Sequence, residues 1–368
     1  MTSARPGSAG RVVLRALAAL LVLAVAIGAA AVVLAGRVRR PYRGYAEAER
    51  FVEIPRGASV PAIANVLAGA GVVPDAITFR IAARVLGADR TLKAGEYRFD
   101  RPLSPLEVAA TLARGEVYLR AITFPEGLTI AEMARIYEAR GLGDAQAFLS
   151  AARDVSAVRD LDPRAGDLEG YLFPDTYTLP RSATARDLTR QMVARFRDVF
   201  DTTAGGGLGG RTVRQLVTLA SLIEKETALP DERRIVAGVY ANRLRIGMGL
   251  QCDPTVIYAL ARAGRYTGNL TRADLAFDSP YNTYRYAGLP PGPIASPGQA
   301  ALEAALRPAE VPYLYFVSRN DGGHAFAASL DEHNRNVQRY QVEYFRGPRD
   351  RPRAQGGAAS LPPRPGGR

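Results

Sequence analysis

One cysteine, Cys252, stands in the 368 residues, so no intramolecular disulfide can form and the fold must rest on its packed core. Cys252 lies between Gln251 and Asp253 with no histidine nearby in the chain, a poor setting for a nucleophilic thiol. Histidine is almost as scarce: His324 and His333 are the two present, too few for a metal site without further ligands. We therefore expect neither a metal nor a cofactor. The glycine-rich stretch Thr203–Gly210 lacks the Gly-Lys-Ser/Thr ending of a phosphate cradle and reads as a surface loop. Acidic residues are missing altogether from Met1–Arg43, which holds seven arginines, and Arg346–Arg368 holds six arginines and one aspartate. Those two ends account for the whole formal net charge of +12, leaving Gly44–Phe345 neutral. A nucleic-acid-binding body is excluded on that ground.

What is present begins with a long apolar run. Ala16–Gly36 is built almost entirely of Ala, Leu, Val and Ile, and is long enough to span a bilayer. It passes directly into Arg37, Arg39 and Arg40 rather than into a cleavage region, which favours an uncleaved anchor over a signal peptide. Arginines flank both ends, so the positive-inside rule does not decide orientation; the short N-terminal segment, residues 1–15, is expected in the cytoplasm. The tail 346–368 is Pro, Gly and Arg, too poor in apolar residues to fold.

A strand–helix unit then recurs. IPRGASVPAIANVL (Ile54–Leu67) and FPEGLTIAEMARIY (Phe124–Tyr137) share an apolar residue, Pro, a charged residue, Gly, a spacer, and a Ser or Thr opening an amphipathic helix. Ser59 and Thr129 are the expected N-caps, and the Pro-x-Gly supplies the turn. Ala94–Glu116 repeats the idea, with Ser104 before a helix starting near Pro105. Leu142–Pro163 reads as helix and then loop, Ser182–Phe200 as an amphipathic helix, and Tyr313–Ser318 with His324–Ala327 as a hairpin around Asn320-Asp321-Gly322-Gly323. Both histidines fit as hydrogen-bonding groups that pin the hairpin and the final helix.

The most informative stretch is Leu216–Arg245, amphipathic at helical spacing and interrupted once at Pro230. Glu224 and Glu226 fall in its first half and diverge by about 200° around a helix. On its own an acid–lysine–acid triplet is the ordinary mark of a solvated face. Glu226, however, is flanked at helical spacing by Leu219, Leu222, Ile223 and Leu229, whereas Glu224 sits above Val217, Ala220 and Ala228. A carboxyl against an apolar wall stays protonated near neutral pH, as a general acid for glycoside cleavage must. Downstream segments are dense in Asp, Asn, Gln and Tyr between rigid Gly/Pro turns, the groups that line sugar sites.

LEGYLFPDTY (Leu168–Tyr177), ASLIEKET (Ala220–Thr227), NRLRIGMGLQCDPTVIY (Asn242–Tyr258), YNTYRYAGLPPGPIASPG (Tyr281–Gly298) and HAFAASLDEHN (His324–Asn334) occur in that order. With these pieces the sequence closely resembles the endolytic murein transglycosylase family, the MltG or YceG-like proteins. The resemblance implies a transmembrane helix at 16–36, a LysM-like module of small strand–helix units at 44–120, and a mixed α+β catalytic domain at 121–345 built around a central helix. It implies cleavage of peptidoglycan glycan strands between N-acetylmuramic acid and N-acetylglucosamine, leaving 1,6-anhydro ends and terminating strand elongation. Glu226 would be the catalytic carboxyl, its Glu226-Thr227 pair resembling the Glu-Ser of lysozyme-like lytic enzymes. Glu169, Gln251, Asp253, Tyr281, Asn282 and Tyr284 are the expected substrate contacts. An exported body on the inner membrane follows, with cell-wall synthases (the penicillin-binding proteins) as candidate partners. Two alternatives stand beside this one: a hydrolase pairing Glu226 with Glu169 or Asp253, and a non-enzymatic wall-binding partner of synthesis complexes.

Overall fold

The computed structural model describes residues 8–346. The expectations for 346–368 and for the first part of 1–15 lie, Arg346 and residues 8–15 apart, outside the described residues. The chain is mostly helical, with three two-stranded sheets and no larger one among the described residues. The α+β expectation is corrected to that extent: strands are few and four or five residues long.

Helix α1 (Ser8–Arg39) carries the apolar run, and Arg15–Arg39 within it is long and apolar enough to cross a membrane. Two compact units follow from the packing. The first takes the described residues up to Arg120 together with Thr178–Ser182; the second takes Ala121–Tyr177 and the described residues from Ala183 onward.

In the first unit, β1 (Arg50–Ile54) leads to α2 (Val60–Gly69) and α3 (Ala76–Val85), and β2 (Gly95–Phe99) to α4 (Pro105–Arg114). β1 and β2 pair antiparallel with Val52 opposite Tyr97. Alternation sends Val52, Ile54, Tyr97 and Phe99 inward, where they meet Ile63, Leu67, Phe79, Val108 and Leu112. The predicted caps hold: Ser59 accepts from the Ala62 amide at 3.4 Å, and Ser104 forms a full capping box with Glu107.

The second unit opens with β3 (Arg120–Thr123), whose residues Ala121–Thr123 belong to it, and α5 (Ile130–Ala139), capped by a Thr129–Glu132 box. Next come α6 (Ala145–Ala151), β4 (Thr176–Leu179), of which Thr176 and Tyr177 belong to this unit and which pairs with β3, and α7 (Ala185–Ala204). α8 (Val213–Glu226) and α9 (Pro230–Arg245) are the two halves of the stretch broken at Pro230. α10 (Asp253–Arg262), α11 (Gln299–Leu306), the hairpin β5 (Tyr315–Ser318) and β6 (His324–Ala327), and α12 (Leu330–Val337) complete it.

Helix α8 is the core of this unit. Leu216 through Ile223 are buried without a break, because α9, α10 and α11 pack around it. A helix apolar all round belongs inside. Gly170, in the Leu168–Tyr177 motif, locks a loop onto it: its φ is +82°, and a Cβ there would lie 2.5 Å from Pro293 Cβ and 2.9 Å from Val217 Cγ1. Gly170→Ala therefore adds both a left-handed strain and a clash, a loss of about 2 kcal/mol or more. Thermal unfolding should show the apparent Tm lowered by about 5 °C or more. An unchanged Tm would mean that the loop and helix are not packed as described.

Candidate active site

Glu226 is the last residue of α8. Thr227 leaves the helix in an extended conformation, its hydroxyl accepts from the Leu229 amide at 3.1 Å, and Pro230 starts α9 without needing an amide donor. The helical face predicted to run on to Leu229 thus ends early, and Leu229 is 38% exposed rather than part of the wall. α9 supplies the wall instead. Tyr240, buried on α9, donates from its hydroxyl to Glu226 Oε1 at 2.6 Å. The Cys252 thiol is buried nearby and also acts on this carboxyl.

Burial raises the Glu226 carboxyl above its ordinary range, and nearby Asp253 adds to that; the Tyr240 hydrogen bond, the Cys252 thiol and His324 pull the other way. Burial also pushes the Tyr240 hydroxyl and the Cys252 thiol well above their usual ranges. Both therefore remain proton donors. With Oε1 engaged by Tyr240, the proton of a neutral Glu226 belongs on Oε2.

The carboxyl lines a cavity of about 420 Å³ together with Arg243, Gln251, Asp253, Tyr284, Tyr315 and His333, within the range of small-ligand sites. Gln251 is one of two non-glycine residues with positive φ among those described, at 50°, a strain of the kind found at functional sites. It is held there by the Thr283 carbonyl, which accepts from the Gln251 amide at 3.2 Å, while Thr283 Oγ1 accepts from the Cys252 amide at 2.9 Å. Asp253, at the start of α10, accepts from the Tyr284 hydroxyl at 2.5 Å. Tyr284 keeps 37% exposure beside the cavity, an aromatic surface suited to stacking on a sugar ring. Arg243 is buried, donates to the carbonyls of Leu250 at 2.7 Å and Leu314 at 2.6 Å, and lies over the Tyr315 ring. It brings a cation to the cavity with its geometry set by backbone.

Four of the seven expected site residues (Glu226, Gln251, Asp253 and Tyr284) thus converge on one cavity. The other three do not. Asn282 is fully buried: its amide donates to the carbonyls of Leu275 and Phe277, and its Oδ1 accepts from the Tyr284 amide at 3.0 Å. The expected groove-wall position is replaced by a loop pin that sets Tyr284. Glu169 lines a different cavity of about 340 Å³, where its oxygens accept from the Ile130 amide at 3.0 Å and the Tyr258 hydroxyl at 3.2 Å. Tyr281 sits by that group, its ring 5.0 Å from Tyr258. Glu224 is apart again, accepting from the amide of Gly298, just before α11, at 2.9 Å and facing Arg233 at 3.7 Å. Its carboxyl, too, is raised by burial, so proton affinity does not separate the two glutamates; position does.

The histidines divide as well. His324 is bound to Glu232, its ring Nδ1 2.6 Å from Oε2 and its amide donating to Oε1 at 2.8 Å, which ties the hairpin to α9. His333 stacks on Tyr315 in the cavity wall. Sequence reasoning missed Tyr240, Arg243 and Tyr315. The available signal was a Tyr and an Arg three apart on the otherwise apolar face Val236, Val239 of α9.

A half-buried, protonatable carboxyl at a helix end, facing a polar cavity rimmed by tyrosines, defines the class of a carboxyl-centred site. The sequence profile of the YceG-like family matches residues 52–339, and the chain belongs to that family. It is 32% identical over 306 residues to the endolytic murein transglycosylase of Bacillus subtilis strain 168, covering 78% of this chain and 84% of that one. It is 33% identical over 324 residues to the endolytic murein transglycosylase of Streptococcus pneumoniae D39, spanning 57% of that longer protein. The crystal structure of a YceG-like protein from Listeria monocytogenes matches with a TM-score of 0.51 at 31% identity, over 79% of this chain and 99% of that one. These matches do not distinguish residues 44–120 as a LysM-like module.

One consequence concerns Glu169, whose carboxyl burial pushes from 4.5 up to about 8. The neutral acid is the form the fold favours. Its contribution to stability is complete below pH 4.5 and is lost as pH rises to about 8. Glu169→Gln should remove that loss, so its apparent Tm minus that of wild type should climb across this window and then level off. Parallel Tm profiles would contradict it.

Proposed function

We propose that this protein is a membrane-anchored lytic transglycosylase acting on peptidoglycan strands, with Glu226 as its acid and base. The observation that carries this reading is the Glu226 carboxyl itself: raised by burial, held through Oε1 by Tyr240, and open to the cavity. The names of the Bacillus and Streptococcus relatives support the substrate and the activity. Glu226 Oε2–H gives its proton to the glycosidic oxygen, and the bond from that oxygen to C1 of N-acetylmuramic acid breaks. The C6 hydroxyl of the same sugar closes onto C1, and its proton passes to the Glu226 carboxylate, which regenerates the acid. One carboxyl suffices and no water is consumed. Arg243 and Tyr284 are read as positioning the sugar, the second by stacking. Helix α1 is read as an uncleaved single-pass anchor with the rest of the chain on the extracytoplasmic side.

Asp253 in the same cavity favours a second reading, a hydrolase with two carboxyls. Its oxygen is engaged by Tyr284, which supports a structural part for it instead. Products separate the two. Full-length protein in neutral detergent, incubated with glycan strands and followed by mass spectrometry, should release 1,6-anhydro ends. Glu226→Gln should slow release by about a hundredfold or more, while Glu224→Gln should retain turnover if it folds. Reducing ends would establish the hydrolase, and loss confined to Glu224→Gln would move the acid to the other glutamate.

A further inference from the structure

A second cavity of the same unit, about 860 Å³, is larger than the one at Glu226 and differs from it in charge. Arg164, Arg211, Arg214 and Arg245 line it and no carboxylate does. Arg214 is fixed in place, donating to Asp162 Oδ2 at 2.5 Å and to the Pro291 carbonyl at 2.6 Å. Among the described residues Arg164, Arg211 and Arg245 make no ion pair; Arg245 has a 3.5 Å contact with the neutral Asn242 amide oxygen. Three guanidinium groups with no acid partner, beside a fourth already paired, repel one another, an arrangement that an anion relieves.

A second, independent observation points the same way. Thr218, from the middle of α8, lines this cavity with 1% exposure, and its Oγ1 is buried without a hydrogen-bond partner. An orphaned buried hydroxyl costs free energy unless something arrives to pair with it.

The shape narrows the ligand. Leu244, Leu289, Pro290 and Pro291 form an apolar side to the cavity, so it offers ionic and apolar contacts together over more than the length of one phosphate. A lipid surface would be met by a convex basic face, whereas these arginines line a concavity. We propose that this cavity binds an acidic peptide. Resting on the function proposed above, that peptide is the carboxylate-bearing peptide attached to murein strands. Both cavities draw on one helix: α9 lends Arg243 to the first and Ala241, Leu244 and Arg245 to the second. Along α8, Thr218 precedes Glu226 by eight residues, about 12 Å of helix. A strand cut at Glu226 would then have its peptide held alongside.

Full-length protein in neutral detergent is titrated calorimetrically with a short Glu-rich peptide and with the same peptide amidated at its carboxyls. The acidic peptide should bind and the amidated one should not. Arg211→Ala and Arg245→Ala should each weaken binding about tenfold, and added salt should weaken it further. Thr218→Val should keep or raise the Tm while weakening the peptide severalfold; a purely structural hydroxyl would leave the affinity untouched. Equal binding of the amidated peptide, arginine variants with wild-type affinity, or tighter arginine-dependent binding to anionic lipid vesicles would each overturn the peptide site. A second arm compares KM for peptide-bearing and peptide-stripped strands. Wild type should favour the former, and the arginine variants should narrow the gap. Equal KM values alongside intact peptide binding would refute the murein assignment alone. Absence of cleavage of either strand would count against the proposed function, not against the cavity.

Discussion

The hydrogen bond from Tyr240 to Glu226 joins the two helices on which the second unit depends. α8 is buried from Leu216 to Ile223, which anchors the turn that follows and delivers its last side chain to one place. A carboxyl there would be costly if ionised and unpaired. Tyr240, from the helix that begins four residues later, satisfies one oxygen and leaves the other to the cavity. Thr227 and Glu232 then close the turn between the helices, and Glu232 extends the contact to the hairpin through His324. A proton-holding group, its orienting partner and the neighbouring strand are thereby fixed by one short connection.

Two glutamates two residues apart show how little of a role resides in residue type. Both are raised by burial, and both sit near the end of the same helix. Glu224 faces the start of α11 and Arg233, and its oxygens are taken by the fold. Glu226 faces the cavity. The rotation between them decides which can reach a ligand.

Much of the local structure was legible because it is written in neighbours. Ser59, Ser104 and Thr129 cap helices where the Ser/Thr placement predicts, Pro230 divides α8 from α9, and Asn320–Gly323 turns the hairpin. The sequence also brought Gln251, Asp253 and Tyr284 to attention with Glu226, through motifs that do share a cavity. What it hid is long-range. Asn282 and Tyr284 are two residues apart and look equivalent, yet one is spent on loop carbonyls and the other borders the site. Glu169 reads as a second active carboxyl until α5 and α10 enclose it with Tyr258. Tyr240 and Arg243 sit on a helix whose pattern is weak, and nothing local distinguishes a tyrosine that packs from one that orients an acid.

The central claim is that Glu226 holds a proton at pH values where an ordinary glutamate has lost it, with Tyr240 setting how far. Infrared titration of the full-length protein, taken as the difference between wild type and Glu226→Gln, reads that proton directly. The account predicts a protonated-carboxyl band that persists above the usual glutamate range. In Tyr240→Phe the band should persist to still higher pH, because the hydrogen bond favouring the ionised form is gone. A band that disappears near pH 4.5 in wild type, or one unmoved by Tyr240→Phe, would contradict it.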